Sequence, residues 1–490
     1  MRAAYTSDEI RAAEQPLLAA LPDGTLMQRA STALARRCAA LLDNVYGSRV
    51  VVLAGSGNNG GDALYAAARL ARRGARVDAV LAGGAAHVGG SAALRAAGGR
   101  MVAAGTGADA DLVARADLVI DGLLGIGGQG ELRSAAARLV GLLRSATAVV
   151  VAVDVPSGVD ASTGAVEGDA VCADVTVTFG AAKIGLFVAP GAAHAGIVDV
   201  VDIGLALPPP GVTLLDLDDA AALLPTPTGE TDKYRRGVVG VVAGSAAYTG
   251  AAVLAVGGAL ASGAGMVRFA GPQDVADLVR QRWPEAVVTT VSPGDGRAVV
   301  DAGRVQAWVV GSGLGTDDAA GAVVSAVLAT DVPVVVDADA VTLVAAHPGW
   351  VHDRTAQTLL TPHAGEFARL AGLDRDEVER HRLDHVRATA RELDATVLLK
   401  GSTTLVADAG GQVRVNSAST SYLATAGSGD VLSGVCGALL AGGLSALDAG
   451  SVGAMVHGLA GLSAAGVPPV SLTATDLVSH VPLALRAIHG

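Results

Sequence analysis

The chain of 490 residues is almost without lysine: only Lys183, Lys233 and Lys400 occur, and every other basic residue is arginine. Arginine has taken over the general surface role, so the remaining lysines are candidates for positions that need a compact ammonium. Cysteine is equally scarce. Cys38, Cys172 and Cys436 show neither metal nor redox spacing and read as small apolar residues in a reducing compartment. Positive charge is in deficit as well: a net charge of −12 excludes a general grip on a phosphate backbone, so no nucleic-acid partner is expected. Long uncharged runs do occur, at 237–267 and 449–475, but both are rich in Gly, Ala and Ser and are broken by Gly or Pro. They lack flanking Lys/Arg clusters and aromatic belts, so they read as buried elements of a globular core and no membrane partner is expected. Asp8, Glu9 and Glu14 stand where a signal peptide needs a basic and then an apolar run, which implies a cytoplasmic protein.

What the chain does have is length and alternation. Its length suggests two or three domains. Val50–Leu53, Val77–Leu81, Leu118–Ile120, Val149–Val153 and Val175–Thr178 read as buried strands, with helices at segments such as 62–73 and 133–144. This is the βαβ pattern of a largely parallel sheet. The pattern lapses at Pro208-Pro209-Pro210-Gly211 and through Pro225-Thr226-Pro227-Thr228-Gly229, placing a boundary between about 207 and 232. It resumes with Val238–Val242, Trp308–Val310, Val334–Val336, Leu359–Thr361 and Thr396–Leu399. Thr404–Ala407 and Gln412–Val415 flank Asp408-Ala409-Gly410-Gly411 as a β-hairpin. The halves share a class but not a motif order, which argues against duplication.

In the first half, Gly55-Ser56-Gly57-Asn58-Asn59-Gly60-Gly61-Asp62 follows a strand and precedes a helix. Glycines there let the backbone approach a ligand, and the helix N-terminus favours phosphate. The amide oxygens and the carboxylate suit a cation or ribose hydroxyls, although Asp62 could be a helix cap. Asp121 and Asp154 also follow strands, so the parallel topology should bring all three acids to one crevice. In the second half, Thr425-Ala426-Gly427-Ser428-Gly429-Asp430 precedes an apolar helix at Val431–Ala441. Backbone N–H groups would form an anion hole there, and Asp430 could take a proton from a hydroxyl beside a transferring phosphoryl group. Lys400-Gly401-Ser402-Thr403-Thr404, Thr361-Pro362-His363-Ala364-Gly365-Glu366, Gly311–Gly315 and Asp337–Ala340 form a ring of strand-end loops around it, and Lys233–Gly237 marks the domain start.

These motifs carry a resemblance. Asn58–Asp62, the Asp121 loop, Asp154-Val155-Pro156-Ser157-Gly158 and Gly180–Gly185 resemble the epimerase domain of the NAD(P)H-hydrate repair system. The strand-end loops of the second half resemble the ribokinase-like fold and, within it, the NAD(P)H-hydrate dehydratase. The resemblance implies an α/β chain of two domains: a Rossmann-like parallel-sheet three-layer epimerase domain at 1–215 and a ribokinase-like α/β/α dehydratase domain at 216–490. It further implies that Asn59, Asp121 and Ser157 hold a potassium ion. Asn58, Asn59, Gly60, Gly61 and Asp62, with Gly125, Ile126, Gly127, Gly128, Gln129, Gly130, Glu131 and Asp154, then contact the hydrated nicotinamide nucleotide. Lys400, Gly401, Ser402, Thr403, Thr404 and Gly429 would bind the adenine nucleotide, and Ala251, Gly313, His363 and Asp430 would face the hydrate.

The implied activity is bifunctional: epimerisation of hydrated NADH and NADPH, then dehydration of the S form at the expense of ADP, with magnesium bridging the phosphates. Asp154 would be the acid–base group of the first reaction and Asp430 the base of the second. A homo-oligomer is expected. The residues themselves leave ADP or ATP, and NADH or NADPH, open. The alternative is a ribokinase-like small-molecule kinase fused to a non-catalytic binding domain, against which Thr361–Glu366 and the intact N-terminal acids argue.

Overall fold

The computed structural model describes residues 1–83, 85–128, 130–225 and 232–490. It divides into Ala3–Gly211 and a second unit of Met1–Arg2 with Val212–Gly490. Gln129 and the turn expected at 226–229 lie outside the described residues.

In the first unit, strands β1 (Arg49–Ala54), β2 (Arg76–Leu81), β3 (Arg100–Ala103), β4 (Leu118–Gly122), β5 (Val149–Val153), β6 (Val175–Phe179) and β7 (Ile197–Val201) form a sheet ordered β3-β2-β1-β4-β5-β6-β7. All its pairings are parallel. The period-two geometry of a strand explains the composition. Val50, Val52 and Ala54 enter one apolar cluster, whereas Val51 and Leu53 enter another on the opposite face. Strands buried on both faces must therefore be apolar throughout. The order reverses between β1 and β4, and a doubly wound sheet opens its ligand crevice at the carboxyl ends of such strands.

In the second unit, strands β8 (Val212–Leu214), β9 (Val238–Val242), β10 (Met266–Gly271), β11 (Val287–Thr290), β12 (Ala307–Val310), β13 (Val334–Val336), β14 (Thr358–Leu360), β15 (Thr396–Leu399), β16 (Thr404–Ala407) and β17 (Val413–Asn416) lie in the order β11-β10-β9-β12-β13-β14-β15-β16-β17-β8. Pairing is parallel from β11 to β15 and antiparallel across β15-β16-β17. The hairpin expected around 408–411 is thus present. Helix Ser428–Ala441 is buried from Val431 to Ala441, which accounts for its lack of a polar face.

The uncharged run 237–267 becomes strand β9, helix Thr249–Ala261 and the start of β10. The run 449–475 falls mostly in helix Ala446–Ala465. Among the described residues no helix is long and apolar enough to cross a membrane.

Three local expectations are corrected. Helix Asn58–Arg72 begins at Asn58, so Asp62 lies past its first turn and is no cap. The helix expected at Val431–Ala441 likewise begins earlier, at Ser428, and takes in Asp430. Cys38 and Cys436 are buried, but Cys172 is exposed, its thiol 3.3 Å from Nδ1 of His194.

Candidate active site

The loop after β1 passes so close to the loop after β4 that a Cβ on Gly55 would sit 2.0 Å from the Leu123 carbonyl oxygen. Only glycine permits that approach. The crevice beside it is a cavity of about 1130 Å³. Asn58, Asn59, Asp62, Gly125, Ile126, Gly127, Gly128, Glu131 and Asp154 line it, with Lys183 and Glu14. Gly60 and Gly61 are buried in the same helix turn as Asn59. Gly130, Asp121 and Ser157 are not on the wall, so the three acids do not all face one crevice.

Asp121 is instead a support. Its carboxylate is wholly buried within β4 and accepts Ser157 N at 2.8 Å, Ser157 Oγ at 2.7 Å and Leu123 N at 3.2 Å. Ser157 Oγ in turn accepts Leu124 N at 2.9 Å, tying the two strand-end loops together. Burial lifts the Asp121 carboxyl to about 6, offset in part by the Ser157 and Leu123 bonds. The amide Nδ2 of Asn59 is buried without a partner. The side chains of Asp121, Ser157 and Asn59 carry oxygens, the donor type a hard cation takes. These residues fit a potassium ion.

Asp154 is held tightly. Its backbone adopts φ +69°, an uncommon conformation for a residue with a Cβ. Its Oδ1 accepts Lys183 Nζ at 2.6 Å, Thr178 Oγ1 at 3.1 Å and Phe179 N at 3.3 Å. Lys183 is 1 % exposed and gives a second bond to Phe179 O at 2.7 Å. Its backbone is fixed where Ala4 and Tyr5 pair in parallel with Ala182 and Lys183. A buried lysine is stable there because its charge is matched and its donors are used.

In the second unit the carboxyl ends of β12, β13, β14 and β15 deliver Ser312, Asp337, Thr361 and Lys400 to one edge. Lys400 Nζ lies 2.9 Å from Asp337 Oδ1 and 3.9 Å from Glu366 Oε2. Asp337 also accepts Ser312 Oγ at 3.1 Å and Thr361 Oγ1 at 2.8 Å. Burial opposes the Lys400 ammonium, but the Asp337 and Glu366 charges outweigh it and its pKa is raised. Asp430 stands beside this group on the first turn of helix Ser428–Ala441. That helix starts from Gly427 at φ +85°, with no side-chain cap on its N–H groups. Burial and then the Asp337 charge lift the Asp430 carboxyl to about 7, against a hydrogen bond from Ser312 and the Lys400 charge. Three carboxylates around a single ammonium leave a net negative site, which fits a divalent cation arriving with phosphates.

The other expected residues have these places. A Cβ on Gly429 would lie 3.1 Å from Lys400 Nζ, and one on Gly313 would lie 2.9 Å from Ala251 Cβ. Gly401 and Ser402 are exposed, whereas Thr403 is buried and Thr404 opens β16. The 400–403 turn is fixed by the buried Arg382, whose Nη2 donates to Lys400 O at 2.9 Å. His363 is exposed and caps its helix, Nδ1 accepting Gly365 N at 3.0 Å.

Lys183, Asp337 and Ser312 were not among the expected site residues. The scarcity of lysine pointed at Lys183. Asp337 and Ser312 lay in strand-end loops that carried no assigned role.

The family model described as NAD(P)H-hydrate dehydratase matches residues 239–483, and that described as YjeF-related protein N-terminus matches 23–185. A bifunctional NAD(P)H-hydrate repair enzyme of Mycobacterium tuberculosis is 50% identical over 443 residues, covering 89% of each chain. One from Mycobacterium leprae is 48% identical over 496 residues, covering 100% of each. The solved ADP/ATP-dependent NAD(P)H-hydrate dehydratase of Bacillus subtilis, co-crystallised with ATP and Mg2+, is 26% identical with a TM-score of 0.50. It covers 56% of this chain and 98% of that one. With two domain families in this order and full-length relatives at this identity, the chain belongs to the family of bifunctional NAD(P)H-hydrate repair enzymes.

Proposed function

We propose that the chain interconverts the R and S forms of hydrated NAD(P)H in its first unit. In its second it dehydrates the S form to NAD(P)H, converting ADP to AMP and phosphate. Residues 1–215 and 216–490 are the two catalytic domains in this reading. The observation that carries it is the pairing of two unlike sites in one chain: a roomy crevice with an anchored carboxylate, Asp154, and a phosphate-loop helix with a poised one, Asp430.

Hydrated NADH carries a hydroxyl on a carbon beside the ring nitrogen. Loss of hydroxide there gives a nitrogen-stabilised cation, to which water returns on either face. Asp154 handles the protons of that exchange, and Lys183 orients it. Asn58–Asp62, residues 125–131 and Asp154 hold the nucleotide. Asn59, Asp121 and Ser157 would hold potassium, whose charge would balance the buried Asp121 carboxylate. In the second unit, residues 400–404 and Gly429 hold the adenine nucleotide, while Ala251, Gly313, His363 and Asp430 face the hydrate. Asp430 takes the proton of the hydroxyl as it is phosphorylated; phosphate then leaves with its C–O electron pair, and the proton on the neighbouring ring carbon passes to water, which restores the dihydropyridine. Asp337 and Glu366 would help hold magnesium, which would supply charge neutralisation to the phosphates. The protein is cytoplasmic in this reading, and a homo-oligomer, which light scattering checks.

The decisive experiment supplies both epimers of hydrated NADH with ADP or ATP and follows the absorbance of reduced nicotinamide. Complete conversion is expected. Conversion that stops near half removes the epimerase, and none with either nucleotide removes the dehydratase. Two further results are expected. The kcat/KM for dehydration rises with pH through about 7, because Asp430 must lose the proton that burial and Asp337 help it keep; a flat profile from pH 5 to 9 counts against Asp430 as base. Potassium chloride raises the melting temperature of the first unit by a few degrees over choline chloride at equal ionic strength, since a ligand bound only by the folded state stabilises it. Asp121→Asn removes that difference.

A further inference from the structure

Asp62 stands on the crevice wall with the carboxyls of Glu14, Asp23, Glu131 and Asp154. It lies past the first turn of helix Asn58–Arg72, so it does not cap that helix, and its Oδ1 is buried with no hydrogen-bond partner. Neither of the nearby groups that act on it is basic: they are Asp154 and Glu14. The ammonium of Lys183 is engaged by Asp154 and by the Phe179 carbonyl. Arg11, Arg133, His87 and Tyr65 also line the crevice, but none bonds to Asp62 Oδ1. A buried carboxyl oxygen left without a partner beside two other acids has hydrogen-bonding capacity that the structure itself does not use.

We propose that Asp62 is a second catalytic acid–base group of the epimerase site, donating the proton to the departing hydroxyl while Asp154 receives the proton of the incoming water. The inference rests on the epimerase reading and divides between two residues the work that reading gives to Asp154 alone. Burial, and then the charges of Asp154 and Glu14, push the Asp62 carboxyl well above its ordinary range. Lys183 Nζ meanwhile donates to Asp154 Oδ1 at 2.6 Å. Two carboxyl groups in one cavity thus have unlike surroundings, Asp154 Oδ1 accepting three hydrogen bonds and Asp62 Oδ1 none, the kind of asymmetry that separates an acid from a base.

The steps balance. The Asp62 proton passes to the hydroxyl oxygen, the C–O bond breaks with its electron pair on oxygen, and water leaves. The ring-nitrogen lone pair forms the C=N bond of the cation. A second water adds to the other face: its oxygen lone pair makes the new C–O bond, the C=N pair returns to nitrogen, and its proton goes to the Asp154 carboxylate. The reverse path, with the roles exchanged, converts the other epimer. Return of the proton from Asp154 to Asp62 through water resets the site.

The test uses the full chain without ADP, following epimer exchange by chromatography and oxygen incorporation from H2¹⁸O. Wild-type exchange is expected to fall at alkaline pH as neutral Asp62 is lost. Asp62→Asn should lower kcat at least ~100-fold with KM changed less than about threefold, abolish the alkaline fall and slow ¹⁸O incorporation equally. Asp62→Glu should recover part of the rate with a displaced alkaline limb. Asp62→Asn exchanging within about threefold of wild type, or losing activity through KM alone, overturns the acid role but leaves the epimerase reading standing. An absence of exchange in the wild type removes both. If calorimetry shows Asp62→Asn to be unfolded, the wild-type profile decides: a rate that stays flat into the alkaline range overturns the proposal.

Discussion

Asp430→Asn lowers the kcat for dehydration by about 10²–10⁴-fold, the range of a lost general base, and leaves epimer exchange at the wild-type rate. The change removes the carboxylate proposed to take the hydroxyl proton but keeps its shape. The hydrogen bond from Ser312 can be accepted by the amide oxygen, and helix Ser428–Ala441 starts from Gly427 whatever stands at 430. Nucleotide affinity should therefore change little, so the loss falls on kcat. The two halves provide internal controls for each other. Measured in one tube, dehydration disappears and epimer exchange persists. Loss of both activities, or a drop confined to KM, would mean that Asp430 holds the fold or the nucleotide rather than the proton.

The second large effect is on stability. Lys183→Met removes the cation from a pair in which Lys183 is 1 % exposed and the Asp154 side chain 12 % exposed. It leaves behind a buried carboxylate at a strained φ of +69°. Removing one partner of such a pair costs about 3–5 kcal/mol, because the remaining charge loses its compensation. For a domain of this size that is a fall of roughly 10 °C in the melting temperature of the first unit. The second unit's transition stays in place, and calorimetry of the full chain separates the two. The double variant Lys183→Met with Asp154→Asn should recover most of the loss, since no unpaired charge remains. If the single and double variants melt together, the pair contributes orientation and not stability. In either variant epimer exchange fails.

Much of the first unit's site was legible from local sequence. Glycines after an apolar strand can serve few purposes other than close backbone approach, and the Gly55–Leu123 contact is such an approach. Asp154 and Asp430 stand where a strand ends and where a helix begins, so their positions follow from the alternation itself. Strands with two buried faces were legible for the same reason, since Val50–Leu53 has no polar residue to offer water. The strands Arg100–Ala103, Met266–Gly271, Val287–Thr290 and Ile197–Val201 were not. Arg100, Arg268, Thr289, Thr290 and Asp199 interrupt their apolar runs.

What sequence alone determined is the chemistry available: which acids, which rare lysines, and which glycine loops punctuate two βαβ series. What only tertiary structure decided is how those groups share their surroundings. Nothing local says that Asp121 turns inward to Ser157, while Asp62 faces the crevice with no partner. Nothing local says that Glu14, from the first helix, joins it there, or that Lys400 lies against Asp337, 63 positions earlier in the chain. The physical reason is that an acid's role depends on desolvation and on neighbouring charge, and both are set by segments distant in sequence. Sequence placed the carboxyl groups, and packing set the neighbours and the burial of each.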